Sequence, residues 1–141
     1  MIYLEKEDLV TFAFERFIDE SSGDTTGEGE TIQQVRDRVL DDVEEKNIAL
    51  ISSYIGTRYD AVLIFDEDAP IRNELLLTVL VKLCVYDIIR RNAARKVPTD
   101  YKDEYDKAIE LLEKIATGRL PVNGLPEAVD DEGNPITSNS V

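Results

Sequence analysis

One stretch of the chain is apolar in a way no other stretch is. From Leu75 to Ile89, the residues Leu75, Leu76, Leu77, Val79, Leu80, Val81, Leu83, Cys84, Val85, Ile88 and Ile89 leave almost no polar face. A helix of this kind is buried on all sides, inside its own fold or between subunits. In so small a domain it points to contacts between copies as well. Amphipathic helices are predicted on either side of it. The first covers Lys6 to Ile18, with Leu9, Phe12, Phe14 and Phe17 along one face. The second starts where Thr31 and Gln34 form a capping-box pattern. It carries Ile32, Val35, Val39, Val43, Leu50 and Tyr54 on its apolar side and Arg36, Asp37, Asp41, Asp42, Glu44 and Glu45 on the other. Gly56 is expected to end it as a left-handed cap. The last helix is capped by Thr99 or Asp100, bears the stripe Tyr101, Tyr105, Ala108, Leu112 and Ile115, and ends at Gly118.

The segments between these helices have their own signatures. Asp19 to Glu30 has no large apolar residue and no base, and reads as a mobile acidic loop. Asp60-Ala61-Val62-Leu63-Ile64-Phe65-Asp66 is a short apolar run between polar residues, expected as an extended segment or edge strand. Asp66-Glu67-Asp68-Ala69-Pro70 opens the apolar helix, with Pro70 near its first turn. Val97-Pro98 stops that helix. From Leu120 onward the chain is rich in Pro, Gly, Asn and Ser, and reads as an extended arm that orders only against a partner. Val122, Leu125 and Ile136 are the apolar residues with which the arm would dock, as an added strand or an extended peptide. The expected fold is therefore mainly α. It is a bundle of about four helices around a central buried one, with an extended segment between the second and third. Residues 1–120 form the helical domain, with the mobile loop at 19–30, and residues 121–141 form the arm.

Composition narrows the function. The chain has 141 residues, enough for one core, and 43% of them are apolar. The 30 acids against 16 bases give a net charge of −14, with no histidine. Such a field repels DNA rather than gripping it. The one dense basic stretch, Arg90-Arg91-Asn92-Ala93-Ala94-Arg95-Lys96, suits the C-terminal end of a helix. A single cysteine, Cys84, in an apolar run reads as a core side chain and fits a reducing compartment. No signal peptide is visible, and the apolar run is too short and too charged for a membrane span.

Catalytic chemistry finds no foothold in the residues. Without histidine there is no Ser–His or Cys–His dyad and no His-based zinc site. Gly27-Glu28-Gly29 lacks the ending of a phosphate loop. The acidic clusters at 41–45, 66–68 and 130–132 lack the spacing of a calcium loop and read as solvated faces or caps.

Several strings do resemble a known family. Ile51-Ser52-Ser53-Tyr54-Ile55-Gly56-Thr57-Arg58-Tyr59 is similar to a Ser-x-Tyr-Ile-x-x-Arg-Tyr signature of the Mu-like prophage head–tail joining, or neck adaptor, proteins of tailed phages. Leu83 to Ile89, Arg91 to Pro98, Tyr105 to Ala108, and Leu112-Glu113-Lys114-Ile115-Ala116-Thr117-Gly118 resemble its later helices in order and spacing. Two features depart from the pattern. Asp60-Ala61-Val62 stands where the family tends to place a proline, and the loop 19–30 is longer.

The resemblance implies a structural protein of the virion neck, assembled in the host cytoplasm. It implies a homo-oligomeric ring, commonly of twelve subunits, beneath the portal protein. The ring extends the DNA channel, lets DNA pass without specific binding, and carries a stopper or tail-completion protein. No cofactor, reaction or membrane is implied. In that role Asp37, Asp41, Asp42, Glu44 and Glu45 are candidate channel-lining residues, and Val122, Leu125 and Ile136 belong to the portal- or partner-docking arm. Arg58 and Asp87 are expected to form an ion pair, because a charge in an apolar helix is usually paired. The competing class is an acidic regulator that mimics DNA and blocks a nucleic-acid enzyme. It would share the charge but stay a monomer or dimer. An enzyme would need a polar pocket among the helices.

Overall fold

Thr31 starts the longest element in the way its sequence dictates. Its hydroxyl accepts from the Gln34 backbone N–H at 3.1 Å, and the Gln34 side chain accepts from the Thr31 N–H at 2.8 Å. In this computed structural model, which describes residues 1–12, 31–91 and 96–136, five helices are formed among the described residues. They are α1 (Lys6–Phe12), α2 (Ile32–Ile55), α3 (Ala61–Ile64), α4 (Glu74–Arg90) and α5 (Thr99–Ala116). The fold is mainly helical, a small bundle without strands among the described residues, in agreement with the sequence pattern. The expected extension of the first helix to Ile18, the loop 19–30, residues 92–95 and the end of the arm lie outside the described residues.

α4 is the central helix. Eleven of its residues are buried, from Leu76 and Leu77 to Ile88 and Ile89, and each fully buried aliphatic side chain contributes about 1.5–3 kcal/mol. α1, α2 and α5 of the same chain pack against it. Its apolar surface is thus covered within one subunit, and burial of this helix does not call for a second copy. α5 contributes Ala108, Leu112 and Ile115 to the core, with Tyr101 and Tyr105 at its edge. Tyr105 stacks on Tyr86 with ring centroids 4.4 Å apart.

Four local expectations are corrected. The run 60–66 is not extended: Ala61–Ile64 forms one helical turn, because the Asp60 side chain caps it by accepting from the Leu63 N–H at 3.1 Å. That turn sends Ile64 into the core and leaves Val62 and Leu63 exposed. α4 begins at Glu74, not beside Pro70, since Asn73 caps it by accepting from the N–H groups of Leu75 and Leu76. Gly56 is right-handed, with φ −64°, whereas Gly118 has φ +80° and takes the left-handed role after α5. α5 is preceded by Pro98 and has no side-chain cap, so neither Thr99 nor Asp100 holds that position; Asp100 lies in its first turn, where the macrodipole favours an acid.

Lys82, the cation within the apolar run of α4, meets Glu104 of α5 at 2.8 Å. The hydrogen bond from the Lys82 ammonium holds the Glu104 carboxyl below the usual carboxylate range. A carboxyl lowered on folding contributes stability above its ordinary value of 4.5 and loses it as pH falls through the lower folded value. Urea melts between roughly pH 5 and pH 3 should therefore show a steeper acid loss for the wild type than for Glu104→Gln. Parallel pH profiles would refute the coupling.

Candidate assembly surfaces

α2 is 24 residues long and has one carboxylate turned inward. Glu44 is 2% exposed. Its oxygens accept from three consecutive backbone N–H groups, those of Ile2 at 2.6 Å, Tyr3 at 3.1 Å and Leu4 at 2.7 Å. A buried carboxylate is tolerable only when its lone pairs are filled this way. The anchored segment brings Tyr3 against Phe65, with ring centroids 5.1 Å apart. The Tyr3 hydroxyl donates to the Ile71 carbonyl at 2.9 Å and accepts from the Asn73 N–H at 2.7 Å. Glu44 is therefore an internal clamp, a correction to its reading as a channel-lining residue.

The other four acids on that list are exposed. Asp37, Asp41, Asp42 and Glu45 share the outer side of α2. Asp37 accepts from the Gln33 side-chain amide at 2.8 Å. Asp41 pairs with the Met1 amino group and, as its hydrogen-bond partner, raises that group above its ordinary value.

The expected Arg58–Asp87 ion pair does not form. Asp87 is buried at the contact of α2 and α4, and side chains of both helices reach it first. Asn47 donates to it at 2.9 Å, and Lys46 and Arg90 lie at 3.5 and 3.6 Å. Asp42, Lys46, Arg90 and Arg91 surround it in an open cleft. Arg58 turns the other way and donates from Nε to the Ala116 carbonyl at 3.0 Å, at the C-terminal end of α5. Gly118 permits this, since a Cβ there would sit 2.7 Å from the guanidinium carbon.

Tyr59 completes a second clamp that the sequence signature contained but did not explain. Its hydroxyl accepts from the Val122 N–H at 2.8 Å. The Ala128 N–H donates to the Arg58 carbonyl, and the Asp60 N–H to the Pro126 carbonyl. These bonds lay the start of the C-terminal segment along the end of α2, and they bury Val122 and Leu125 in the core. The arm as far as Leu125 thus orders against its own chain, and those two residues are not the partner-docking residues expected of them. Ile136 remains exposed, as does Val129. The two flank a tight turn at Asp130-Asp131-Glu132-Gly133, where Val129 pairs with Pro135. Asp130 shapes it by accepting from the N–H groups of Glu132 and Asn134.

Cys84 is buried beside Asn47, and burial pushes its thiol well above the ordinary range. Among the described residues no group of three or more acidic or sulfur side chains could hold a metal ion. No helix described is long and apolar enough to cross a membrane.

Fold and surfaces together define a small acidic helical module whose end segments are clamped by side chains and whose longest helix keeps an acid-lined outer side. A protein-family model described as Bacteriophage Mu, Gp36, matches residues 3–138, and the chain belongs to that family. It is a Mu-like phage protein of the structural and morphogenesis class. No curated protein and no solved structure matches the chain.

Two outcomes follow from the buried groups. Glu44→Ala leaves three N–H groups unpaired and should cost about 3 kcal/mol in urea unfolding, with Glu44→Gln losing less; an unchanged midpoint in the alanine variant would refute the clamp. The Cys84 thiol should resist iodoacetamide at pH 8 in the folded protein and react once the chain is unfolded in urea. Equal labelling in both states would contradict its enclosure.

Proposed function

We propose that the chain is a subunit of the phage neck adaptor, a ring that sits beneath the portal, extends the DNA channel, and carries the stopper or tail-completion protein. The observation that carries this reading is the run of exposed acids, Asp37, Asp41, Asp42 and Glu45, along α2 of a Mu-family phage protein with a net charge of −14. A wall that DNA must slide past should repel phosphates, and exposed carboxylates do so, whereas lysines and arginines would hold the DNA by releasing its counterions. With α2 facing the lumen, Asp37, Asp41 and Glu45 of every subunit would form stacked negative rings, with Asp42 beside them at the cleft around Asp87. In this role the protein performs no catalysis and takes no cofactor, and its place is the neck of the virion.

A ring also needs a surface that contacts its neighbour in a head-to-tail manner, so that rotation closes it. Ordering on the portal raises the local concentration of subunits, so a monomer in free solution is compatible with a ring in the neck.

Size-exclusion chromatography with light scattering, on the chain alone and then with the portal ring of the same phage, tests the proposal. Co-elution at the stoichiometry of a complete ring is expected. A monomer or dimer that ignores the portal would contradict it and favour the acidic regulator, to be sought among nucleic-acid enzymes.

A further inference from the structure

Four of the six large apolar side chains that stand exposed among the described residues belong to one end of the molecule. Val62 and Leu63, on α3, are 81% and 50% exposed, and Val129 and Ile136, on the C-terminal segment, are 50% and 56% exposed. Backbone hydrogen bonds hold the two pairs to that end. The Asp60 N–H donates to the Pro126 carbonyl, the Ala128 N–H to the Arg58 carbonyl, and the Ile136 N–H to the Ala128 carbonyl. Residues 58–63 and 126–136 therefore share one surface beyond the end of α2. The core takes Ile64, Phe65, Val122 and Leu125 from these parts of the chain and leaves the four exposed side chains out. Aliphatic surface gathered at one end, rather than scattered singly, marks a place where another molecule binds.

The charge set among these side chains has one sign. Residues 59–71 hold Asp60, Asp66, Glu67 and Asp68 and no base, and residues 120–136 hold Glu127, Asp130, Asp131 and Glu132 and no base. Asp60, Asp66 and Asp130 accept from backbone N–H groups of their own turns, and the other five acids are exposed. Of the bases that border the two segments, Arg58 is bonded to the Ala116 carbonyl, Arg72 pairs with Asp8 at 3.1 Å, and Arg119 follows α5. Apolar side chains among carboxylates call for a surface of the complementary kind, apolar where it meets the valines, leucine and isoleucine, and lined by lysine and arginine where it meets the acids.

We infer that this end, through Val62, Leu63, Val129 and Ile136 with the acids around them, docks on a different protein whose apolar contact surface is bordered by lysines and arginines. The occupant is not a second copy of this chain. Two copies meeting end to end would oppose acids with acids, and the cleft of Lys82, Lys107 and Lys114 is no match, because Lys82 and Lys107 already pair with Glu104. Phosphate-bearing surfaces, DNA and anionic lipid alike, are repelled by the same acids. The inference rests on the neck reading above and adds to it that this end faces the portal side or the tail side of the ring, and not the neighbouring subunit.

Two variants test it, with the portal ring and the tail-completion protein of the same phage as probes. Val62→Ser with Leu63→Ser removes apolar surface and leaves Ile64 in the core. Asp131→Lys with Glu132→Lys reverses charge and leaves Asp130 to hold its turn. Thermal melts by circular dichroism check that both fold. Light scattering reads how many subunits the portal takes up, and calorimetry reads the affinity of the tail-completion protein for the assembled ring. Each variant should bind one of these two proteins at least about tenfold more weakly than the wild type does. The wild-type affinity for that protein should also fall as salt rises from roughly 50 to 300 mM. Undiminished binding of both proteins by either variant, or an affinity indifferent to salt, would overturn the inference and leave the ring standing. So would variants that reach the portal with unchanged affinity but close no ring, since the surface would then belong to the contact between copies. A wild type that binds neither protein would remove the neck reading and this contact with it.

Discussion

The buried carboxylate of Glu44 is the constraint on which the rest of the molecule hangs. A charge taken out of water must be compensated at once, and here the compensation is the backbone of residues 2–4. The segment is thereby drawn across the middle of α2, which places Tyr3 between Phe65 and the cap of α4. One side chain thus connects the start of the chain, the longest helix and the entry to the central helix. The Arg58–Tyr59 pair does the corresponding work at the other end, joining the ends of α2 and α5 to the C-terminal segment. Between the two clamps lies α4, whose apolar surface supplies more of the core than any other element and whose own chain covers it.

Much of this was legible in the sequence because it is written in periodicity. The apolar run at Leu75–Ile89, the capping box at Thr31 and Gln34, and the stripe ending at Gly118 each encode a local preference that tertiary contacts reinforce. What escaped was non-local. Glu44 reads like its neighbours Asp41 and Glu45, and nothing in one chain of letters says which of three carboxylates will find three unpaired N–H groups some 40 residues away. Asp87, a charge in an apolar helix, does take partners, but Arg58 is not among them. Lys46 and Asn47 sit on the face of α2 that α4 packs against, and side chains already in contact exclude a distant one. The run 60–66 has the apolar character of a strand, but Asp60 just before it caps a helical turn, which satisfies backbone groups that an unpaired extended segment would leave open. The C-terminal segment looked free because its apolar residues are sparse. Tyr59, which receives it, gives no sign of doing so in sequence.

Once the clamps and the core are assigned, the residues left over are informative. Acids remain on the outer side of α2, and an acidic turn flanked by two uncovered apolar side chains, Val129 and Ile136, remains on the C-terminal segment. A Mu-family phage protein with an acid-lined outer helix suits the proposed ring whose lumen repels DNA. The division of labour is economical in physical terms. In the proposed ring the same helix would use its inner carboxylate to fix the fold and its outer carboxylates to keep a channel slippery.

Electron cryo-microscopy of the portal bound to this protein tests that account most directly, because it shows where α2 points. The account predicts a closed ring beneath the portal with Asp37, Asp41 and Glu45 of every subunit directed at the lumen. A ring with those carboxylates directed at the outer solvent, or a portal with no density for this chain, would contradict it.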